Sequence, residues 1–377
     1  MKRFVHRGIA SQSAPTPNLI RGTGAFSLCS MHITNFWHAA EQNMRRRSPE
    51  SVMLDSVLRT VYSAIAPSGA RARLSTLIFH RVLAAPDPLL PSEPSAAEFE
   101  ARMRWVQRHF NVIPLAEAIT RLQSRTLPAR SLAITFDDGY ADNQLIAAPI
   151  LHKLGLPATF FVATGYLDGG RMFNDSIIAA LRDCKRGSLD LTELGLGIHS
   201  LESLEQRRSA ISMLLPQVKV LEPARRAAKA ERICQLAEVT PADDLMMTSS
   251  QVAALARDGF GIGGHTVNHP ILARLDPHDA REEIHHGRQR LEEIARSPVR
   301  LFAYPNGRPG EDYTVHTTEQ VRQLGFAAAF TTAHGVAGSN ADLFQLPRFT
   351  PWDRGELKFG VRMARNLLNA SPSVVAR

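Results

Sequence analysis

From residue 74 onward, short apolar runs typical of β-strands alternate with segments that have the apolar period of amphipathic helices. The strand-like runs fall at residues 74–79, 132–136, 159–162, 261–264, 301–304, 327–330 and 343–346. This alternation predicts βαβ units, and therefore an α/β fold with a parallel sheet. Because α/β folds place their sites at the carboxyl ends of strands, polar residues directly after these runs are the candidate functional residues.

The sequence divides into an extension, one large domain and an insertion. Residues 1–70 are basic and rich in Ser, Pro and Gly punctuation, so we predict a disordered N-terminal extension in which residues 52–65 could form a short helix. Residues 71–377 have the alternating pattern, and a charged, helix-rich insertion interrupts it at about 171–245. No transmembrane helix is expected, and the lack of a clear secretory signal slightly favours the cytoplasm without excluding export.

Charge and cysteine content argue against two classes of protein. Lys and Arg number 44 and Asp and Glu 36, a formal net charge of +8. Residues 1–70 hold eight basic and three acidic residues, so +5 of this excess belongs to the extension and +3 to the rest, and no nucleic-acid partner is expected. The cysteines, Cys29, Cys184 and Cys234, form no CxxC pair, which argues against a disulfide scaffold or cysteine-ligated zinc.

The strongest chemical signal is an apolar strand that runs directly into two adjacent carboxylates, Asp137 and Asp138, in the sequence Thr-Phe-Asp-Asp-Gly-Tyr. Adjacent residues at a strand end point in different directions. One carboxylate can therefore bind a metal while the other takes a proton from the metal's water. The structural alternative is an Asp-Asp-Gly turn with a helix cap, and the motif alone leaves both interpretations open.

A second candidate pair, His265 and His269, follows the run 261–264 in the sequence His-Thr-Val-Asn-His-Pro. Histidines four residues apart lie on one side of a helical turn and can share one ion. A zinc protease of the HExxH type has glutamate after the first histidine, whereas this chain has Thr266, so Asp137 is the available base. The chain has 14 histidines, and a chance pair at this spacing stays open.

Two further strand ends hold groups that could act on a substrate. The turn Pro-Asn-Gly after the run 301–304 could aim the backbone N–H of Asn306 at an oxyanion, although such a turn is ordinary by itself. His80 follows the first predicted strand and could act as an acid, although a lone histidine is more often a packing residue.

Together and in this order, the four motifs resemble those of the polysaccharide deacetylases of the NodB-homology group, carbohydrate esterase family four. The resemblance covers about residues 74–350. It implies a distorted (β/α) barrel with fewer than eight strands and one divalent metal ion. It also implies a hydrolase that removes N-acetyl groups from an N-acetylhexosamine-containing polysaccharide or oligosaccharide.

The resemblance also implies roles for individual residues. Asp137 matches the catalytic base of the family, and Asp138, His265 and His269 match its metal ligands. Asn306 lies in the third motif, where its backbone N–H would help to hold the oxyanion. Two imidazoles and one carboxylate suit Zn²⁺, and Co²⁺, Ni²⁺ or Fe²⁺ could fit the same ligands.

The general acid implied by the resemblance is His80. The late Leu-x-x-His motif that usually supplies the acid has no match near the C-terminus. The subgroup that acts on poly-N-acetylglucosamine takes its acid from a Tyr-His pair in the first strand, and Phe79-His80 is the matching pair here. An N-acetylglucosamine-containing exopolysaccharide or its lipid-linked precursor is therefore the first expected substrate, with chitin oligomers and peptidoglycan still open.

One departure from the family pattern concerns the base. Many members have an arginine at the position of Ala303 that orients the base, and Arg348 is our candidate for a substitute. Two other functions compete with this one. A haloacid-dehalogenase-type phosphotransferase needs its two acids separated by one residue and leaves the histidine pair unexplained. A non-catalytic carbohydrate-binding relative stays open because of the missing arginine, although Asp137 and the three ligand residues are all present.

Overall fold

The computed structural model describes residues 49–350, 353, 355–370 and 372–375. Its α-helices are α1 (Pro49–Ile65), α2 (Ala96–His109), α3 (Leu115–Gln123), α4 (Ala148–Leu154), α5 (Phe173–Asp183), α6 (Leu204–Lys219), α7 (Pro223–Ala237), α8 (Ser249–Arg257), α9 (Pro277–Ala295), α10 (Val315–Gln323) and α11 (Glu356–Leu368). Single 3₁₀ or π turns occupy Gly69–Arg71, Asn143–Ala147, Thr164–Tyr166, Thr192–Leu194 and Leu272–Arg274. Several helices begin at capping boxes, for instance Ser95 with Glu98.

The strands are β1 (Leu74–Phe79), β2 (Asn111–Val112), β3 (Ser131–Phe136), β4 (Thr159–Val162), β5 (Ser188–Asp190), β6 (Ile198–Ser200), β7 (Gly261–Gly264), β8 (Leu301–Ala303) and β9 (Ala328–Phe330). Seven of them form one parallel sheet in the order β1-β3-β4-β7-β8-β9, with β2 beside the start of β3. The register pairs Phe79 with Phe136 and Gly264 with Phe302. The motifs that follow β1, β3, β7 and β8 therefore emerge at the same edge of the sheet.

An extended segment, residues 346–349, hereafter the closing segment, spans the gap between the two outer strands of this sheet. Leu346 forms a parallel bridge to Phe330 of β9, and Phe349 forms a parallel bridge to Leu77 of β1. The sheet is thereby closed into a ring with helices around it. The expected α/β fold class, a distorted (β/α) barrel with fewer than eight strands, is confirmed.

Side chains of the sheet alternate between two apolar clusters. Leu132, Ile134 and Phe136 of β3 pack toward the surrounding helices, whereas Ala133 belongs to a smaller cluster with Phe161 of β4. The ring of Phe161 occupies space that a side chain on β7 would need, because a Cβ at Gly263 would lie 2.3 Å from it. Glycine at this position therefore lets β7 pair directly with β4 while the ring of Phe161 fills the space beside it.

Between β4 and β7 the chain forms a separate helical unit. Helices α5, α6 and α7 pack with the antiparallel ribbon β5–β6 around their own apolar cluster, which includes Ile177, Leu214 and Ile233. Cys184 and Cys234 are free and buried in the same cluster, and Cys29 lies outside the described residues. This unit, hereafter the helical insertion, occupies the stretch for which an insertion was predicted at about 171–245.

The structure corrects two sequence-based boundaries. The segment 343–346 is not a strand, because Asp342 accepts the N–H groups of Phe344 and Gln345 and folds the chain into a turn. Only Leu346 forms a β-bridge to β9, although the carbonyl of Leu343 also accepts the N–H of Ala329. The extension predicted for residues 1–70 ends earlier: α1 begins at Pro49, and the fully buried Tyr62 donates its hydroxyl to the carbonyl of Gly360 at 3.0 Å. The prediction for residues 1–48 lies outside the described residues.

None of the helices that the structure describes is both long and apolar enough to cross a bilayer.

Candidate active site

A cavity of about 720 Å³ lies where β1, β3, β7 and β8 end. Its walls include six of the seven residues singled out from the sequence: His80, Asp137, Asp138, His265, His269 and Asn306. The seventh, Arg348, lies behind Asp137 and contacts it directly. Four strand ends that are far apart in the sequence therefore bring these residues together around one space.

Asp138, His265 and His269 place one ligand atom each within 4.8 Å of the other two. The Nε2 atoms of both histidines lie 3.4 Å from Asp138 Oδ1. This oxygen is buried, and in the described part of the chain it makes no hydrogen bond of ordinary geometry. A buried carboxylate oxygen without a donor, facing two imidazole nitrogens, fits a divalent cation that would satisfy all three atoms.

The orientation of His265 is fixed by the strand next to it. Its Nδ1–H donates to the carbonyl of Ala303 at 2.7 Å, which leaves Nε2 directed toward Asp138. The motif position that lacks the arginine thus still contributes its backbone to the site.

The pKa values of the two histidines shift in opposite directions. Burial alone would lower the pKa of His265, but the carboxylates of Asp137 and Asp138 outweigh burial and raise it above its ordinary value. For His269 burial prevails and lowers the pKa to about 3. Burial would raise the pKa of Asp138, but the imidazoles of His265 and His269 outweigh it and lower the pKa well below its ordinary range.

The two histidines meet through a strained loop and not on the helical turn that the spacing predicts. Thr266 and His269 both have left-handed backbone conformations, with φ of +67° and +50°. The Thr266 hydroxyl accepts the N–H of His269 at 3.0 Å and holds this shape. The imidazole centroids are 4.8 Å apart, so the convergence inferred from the spacing occurs by a different backbone route.

Asp137 forms a buried, bidentate ion pair with Arg348 of the closing segment. Arg348 Nη1 lies 2.6 Å from Oδ1 and Nη2 lies 2.7 Å from Oδ2, and both side chains are almost fully buried. Burial would raise the pKa of Asp137, but the Arg348 guanidinium and the nearby His265 hold it below its ordinary value. Arg348 thus contacts the carboxylate for which a substitute arginine was sought.

The turn at Asn306 is also locked in a left-handed conformation, with a φ of +61°. Thr332 donates its hydroxyl to the carbonyl of Asn306 at 2.6 Å, and its N–H donates to Gly307 at 3.0 Å. Among the described residues, the N–H of Asn306 donates to no protein acceptor. The turn therefore presents a free backbone donor at the wall of the cavity.

His80 is half-buried and lines the same cavity, but its imidazole makes no hydrogen bond to another described residue. Its backbone and that of Val82 are fixed by Asp142 and Asn143, the second and third residues after the Asp-Asp-Gly-Tyr motif. Asn143 donates to the carbonyl of His80 at 2.8 Å, and Asp142 pairs with Arg81 at 2.8 Å. The first and third strands are thereby tied together beside the cavity.

A buried polar group that no sequence motif indicates lies where the helical insertion lines the cavity. Asp175, at the start of α5, accepts the hydroxyl of Tyr140 at 3.1 Å, and the Arg81 guanidinium lies 4.6 Å above the ring of Tyr140. Burial raises the pKa of Asp175 to about 7. Tyr140 belongs to a motif read from the sequence, but nothing local predicts that an acid from the helical insertion meets it.

Replacing Asp175 by asparagine is expected to remove a pH dependence of stability. Above its ordinary pKa the acid is ionised in the unfolded chain, whereas the folded chain keeps the proton until about pH 7. Wild type should therefore lose stability as the pH rises from about 4 to 7, by roughly a few kcal/mol, and Asp175→Asn should not. Urea unfolding across this range measures the difference. Asp183→Asn, at an exposed position of the same helix, is the control, and parallel curves for wild type and Asp175→Asn would rule out a titrating Asp175.

The sequence profile described as polysaccharide deacetylase matches residues 124–207 and 222–329, which together make up more than half of the chain. The chain belongs to the polysaccharide deacetylase family. The matched ranges include Asp137, Asp138, both histidines and Asn306, whereas His80 and Arg348 lie outside them.

Relatives and solved structures agree with this membership. YxkH of Bacillus subtilis (strain 168), which bears a polysaccharide deacetylase name, is 21% identical over 279 residues, covering 74% of this chain and 71% of YxkH. A poly-beta-1,6-N-acetyl-D-glucosamine N-deacetylase of Staphylococcus aureus (strain N315) is 25% identical over 136 residues, which are 36% of this chain and 47% of that protein.

Two solved structures share the fold over most of their length. The deacetylase PplD of Streptococcus pyogenes, in complex with acetate, has a TM-score of 0.52 at 18% identity and covers 78% of this chain and 98% of PplD. IcaB of Ammonifex degensii has a TM-score of 0.51 at 20% identity and covers 80% of this chain and 98% of IcaB. The expected enzyme class, a hydrolase of the polysaccharide deacetylase family, is confirmed.

Proposed function

We propose that this deacetylase is a metal-dependent hydrolase that removes N-acetyl groups from an N-acetylglucosamine-containing glycan. The observation that carries the proposal is the position of Asp137. Its Oδ2 lies 3.9 Å from His265 Nε2, so an arginine-paired carboxylate stands directly beside the three convergent ligand atoms. A base adjacent to a cation site is the arrangement that hydrolysis of an amide by activated water requires.

Asp138, His265 and His269 are the residues that would hold the cation, and their mixed nitrogen and oxygen donors suit Zn²⁺. A divalent ion held there would supply Lewis acidity, lowering the pKa of a water and polarising the acetamide carbonyl. Co²⁺, Ni²⁺ and Fe²⁺ are compatible with the same donors.

The remaining groups act on the attacking water and on the substrate. Asp137, kept ionised and oriented by Arg348, takes the proton of the attacking water. The N–H of Asn306 donates to the oxygen on which negative charge develops. His80, in its protonated form, donates to the departing nitrogen. The products are acetate and a free amino sugar.

Two observations support poly-N-acetylglucosamine as the glycan to test first. The acid assigned here comes from the end of β1, as in the subgroup that acts on this polymer, and His80 lines the cavity. The Staphylococcus aureus relative carries poly-beta-1,6-N-acetyl-D-glucosamine in its name. The proposal extends this substrate class from the relative to the present chain.

The test is acetate release from β-1,6-linked N-acetylglucosamine oligomers by the full chain, with Zn²⁺ or Co²⁺ added and after treatment with a chelator. We expect metal-dependent release that His265→Ala abolishes, together with loss of one bound ion per chain. His286→Ala, at an exposed position of α9, is the matched control. A wild-type protein that binds no metal would contradict the proposal. One that binds an ion and oligosaccharide but releases no acetate would instead favour the non-catalytic binding protein.

A further inference from the structure

Charged side chains on both sides form hydrogen bonds to the backbone of the loop that carries the two histidines, residues 265–269. On one side, Glu283 of α9 accepts the N–H groups of Val267 and Asn268 at 3.0 and 2.8 Å. On the other side, Arg226 of α7 donates to the carbonyl of Asn268 at 2.7 Å and to that of His269 at 3.2 Å. The acid satisfies the donors of the loop, and the arginine satisfies its acceptors.

Close packing leaves this loop little freedom on the α9 side. A Cβ at Gly287 would lie 2.8 Å from backbone atoms of Thr266, so the helix touches the loop directly. His265 has its own support, since its ring is held by Ala303. At His269 the N–H is held by Thr266 within the loop, and the carbonyl is contacted from the side of the helical insertion.

Arg226 is unusually buried for a charged residue, because it is only 2% exposed. Among the described residues no carboxylate lies within ion-pair distance of it. Its guanidinium instead lies 4.7 Å above the ring of Phe173 and reaches the Tyr166 hydroxyl at 3.4 Å, and Tyr166 itself donates to the Asn268 carbonyl at 2.8 Å. Burying a charge without an opposite charge is costly, so the hydrogen bonds to the loop must offset that cost.

A left-handed residue such as His269 directs its carbonyl away from the regular hydrogen bonds of a helix or a strand. Arg226 supplies the donors that such a carbonyl lacks, and its planar guanidinium can serve two neighbouring carbonyls at once. A lysine could reach one of them but cannot reproduce the two-pronged contact.

We propose that Arg226 is a positioning residue for His269, through which the helical insertion sets the metal affinity of the site. The inference rests on the proposed metal site at Asp138, His265 and His269. Arg226 also lines the cavity, but its hydrogen bonds to the loop go to backbone carbonyls and not to the ligand atoms. It acts by holding the backbone of His269 in the conformation that directs Nε2 toward Asp138.

The experiment measures Zn²⁺ affinity of the full chain without substrate, by competition with a chromophoric chelator, for wild type, Arg226→Met, Arg226→Lys and Arg225→Met. Loss of a residue that orients a ligand typically weakens metal binding about 10–100-fold. We expect a loss of this size for Arg226→Met and a smaller loss for Arg226→Lys. Arg225→Met, at the exposed neighbouring position, should bind as wild type does.

A second readout separates positioning from a general role in folding. If Arg226 acts through His269, the activity that Arg226→Met loses at low Zn²⁺ should return at saturating Zn²⁺, because excess metal compensates for weaker binding. Should Arg226→Met fail to fold, Tyr166→Phe, which removes the other side-chain donor to Asn268, is expected to weaken Zn²⁺ binding in the same direction. Unchanged Zn²⁺ affinity in the folded variants would overturn the inference while leaving the proposed function intact. Absence of metal binding by wild type would overturn the metal site itself.

Discussion

Replacing Asp137 by asparagine is expected to lower the rate of acetate release at least about a hundredfold, since proton transfer by a positioned base contributes roughly 10²–10⁴-fold. Asparagine has nearly the same shape but cannot accept the proton of the attacking water. The three ligand atoms belong to other residues. The variant should therefore keep its bound metal, and the defect should appear in kcat measured on N-acetylglucosamine oligomers at saturating Zn²⁺.

Two measurements make this result interpretable. Zn²⁺ content determined beside the activity separates loss of the base from loss of the ion. Asp168→Asn, an exposed residue after β4, controls for the change of a carboxylate to an amide elsewhere in the chain. A variant at Asp137 that retains more than a tenth of wild-type kcat with its metal bound would show that another group takes the proton.

Local patterns were sufficient for six of the seven strands of the parallel sheet and for the residues at their ends, whereas β2, β5 and β6 were not predicted. The runs at β1, β3, β4 and β7 are apolar or glycine-rich and short, and their boundaries agree with the structure to within about a residue. Because parallel strands end at one edge of a sheet, the order of the motifs alone placed His80, Asp137, His265 and Asn306 around one cavity.

What the sequence could not predict depends on contacts between distant segments. The resemblance pointed to Arg348 as the substitute arginine, but the ion pair itself joins residues 211 positions apart and arises because the closing segment enters the ring between β9 and β1. That segment forms only isolated bridges, since the turn that begins at Asp342 folds residues 343–345 and prevents a continuous ladder with β9. The role of Ala303 is equally invisible in the sequence, because only its carbonyl contacts His265.

The helical insertion shows the same limit. Its helices were expected from their composition, but the sequence contains no signal that Asp175 meets Tyr140 or that Arg226 meets the histidine loop. Both contacts are made by buried charged residues in otherwise amphipathic helices. A single sequence does not distinguish such residues from those on a solvated helix face, because the helical period allows either.

Replacing Arg348 by methionine is expected to destabilise the protein and to abolish most of its activity. Removing one partner of a buried ion pair costs about 3–5 kcal/mol, because the other charge is left uncompensated away from water. Asp137 would lose both hydrogen bonds that orient it, and its pKa, now held low by the guanidinium, would rise. Urea unfolding and acetate release measure the two effects on one sample.

The double variant Arg348→Met, Asp137→Asn tests whether the broken ion pair causes the loss of stability in Arg348→Met. With both charges removed, no buried carboxylate is left unpaired, so the double variant should be more stable than Arg348→Met alone and yet remain inactive. Arg362→Met, a partly exposed arginine of α11, controls for the loss of a guanidinium elsewhere. Stability losses of the two single variants that simply add would mean that the pair contributes little to folding. Recovery of stability without recovery of activity would instead show that the pair has two separate roles. The charge of Arg348 keeps Asp137 ionised in the interior, and the oxygens of Asp137 perform the chemistry.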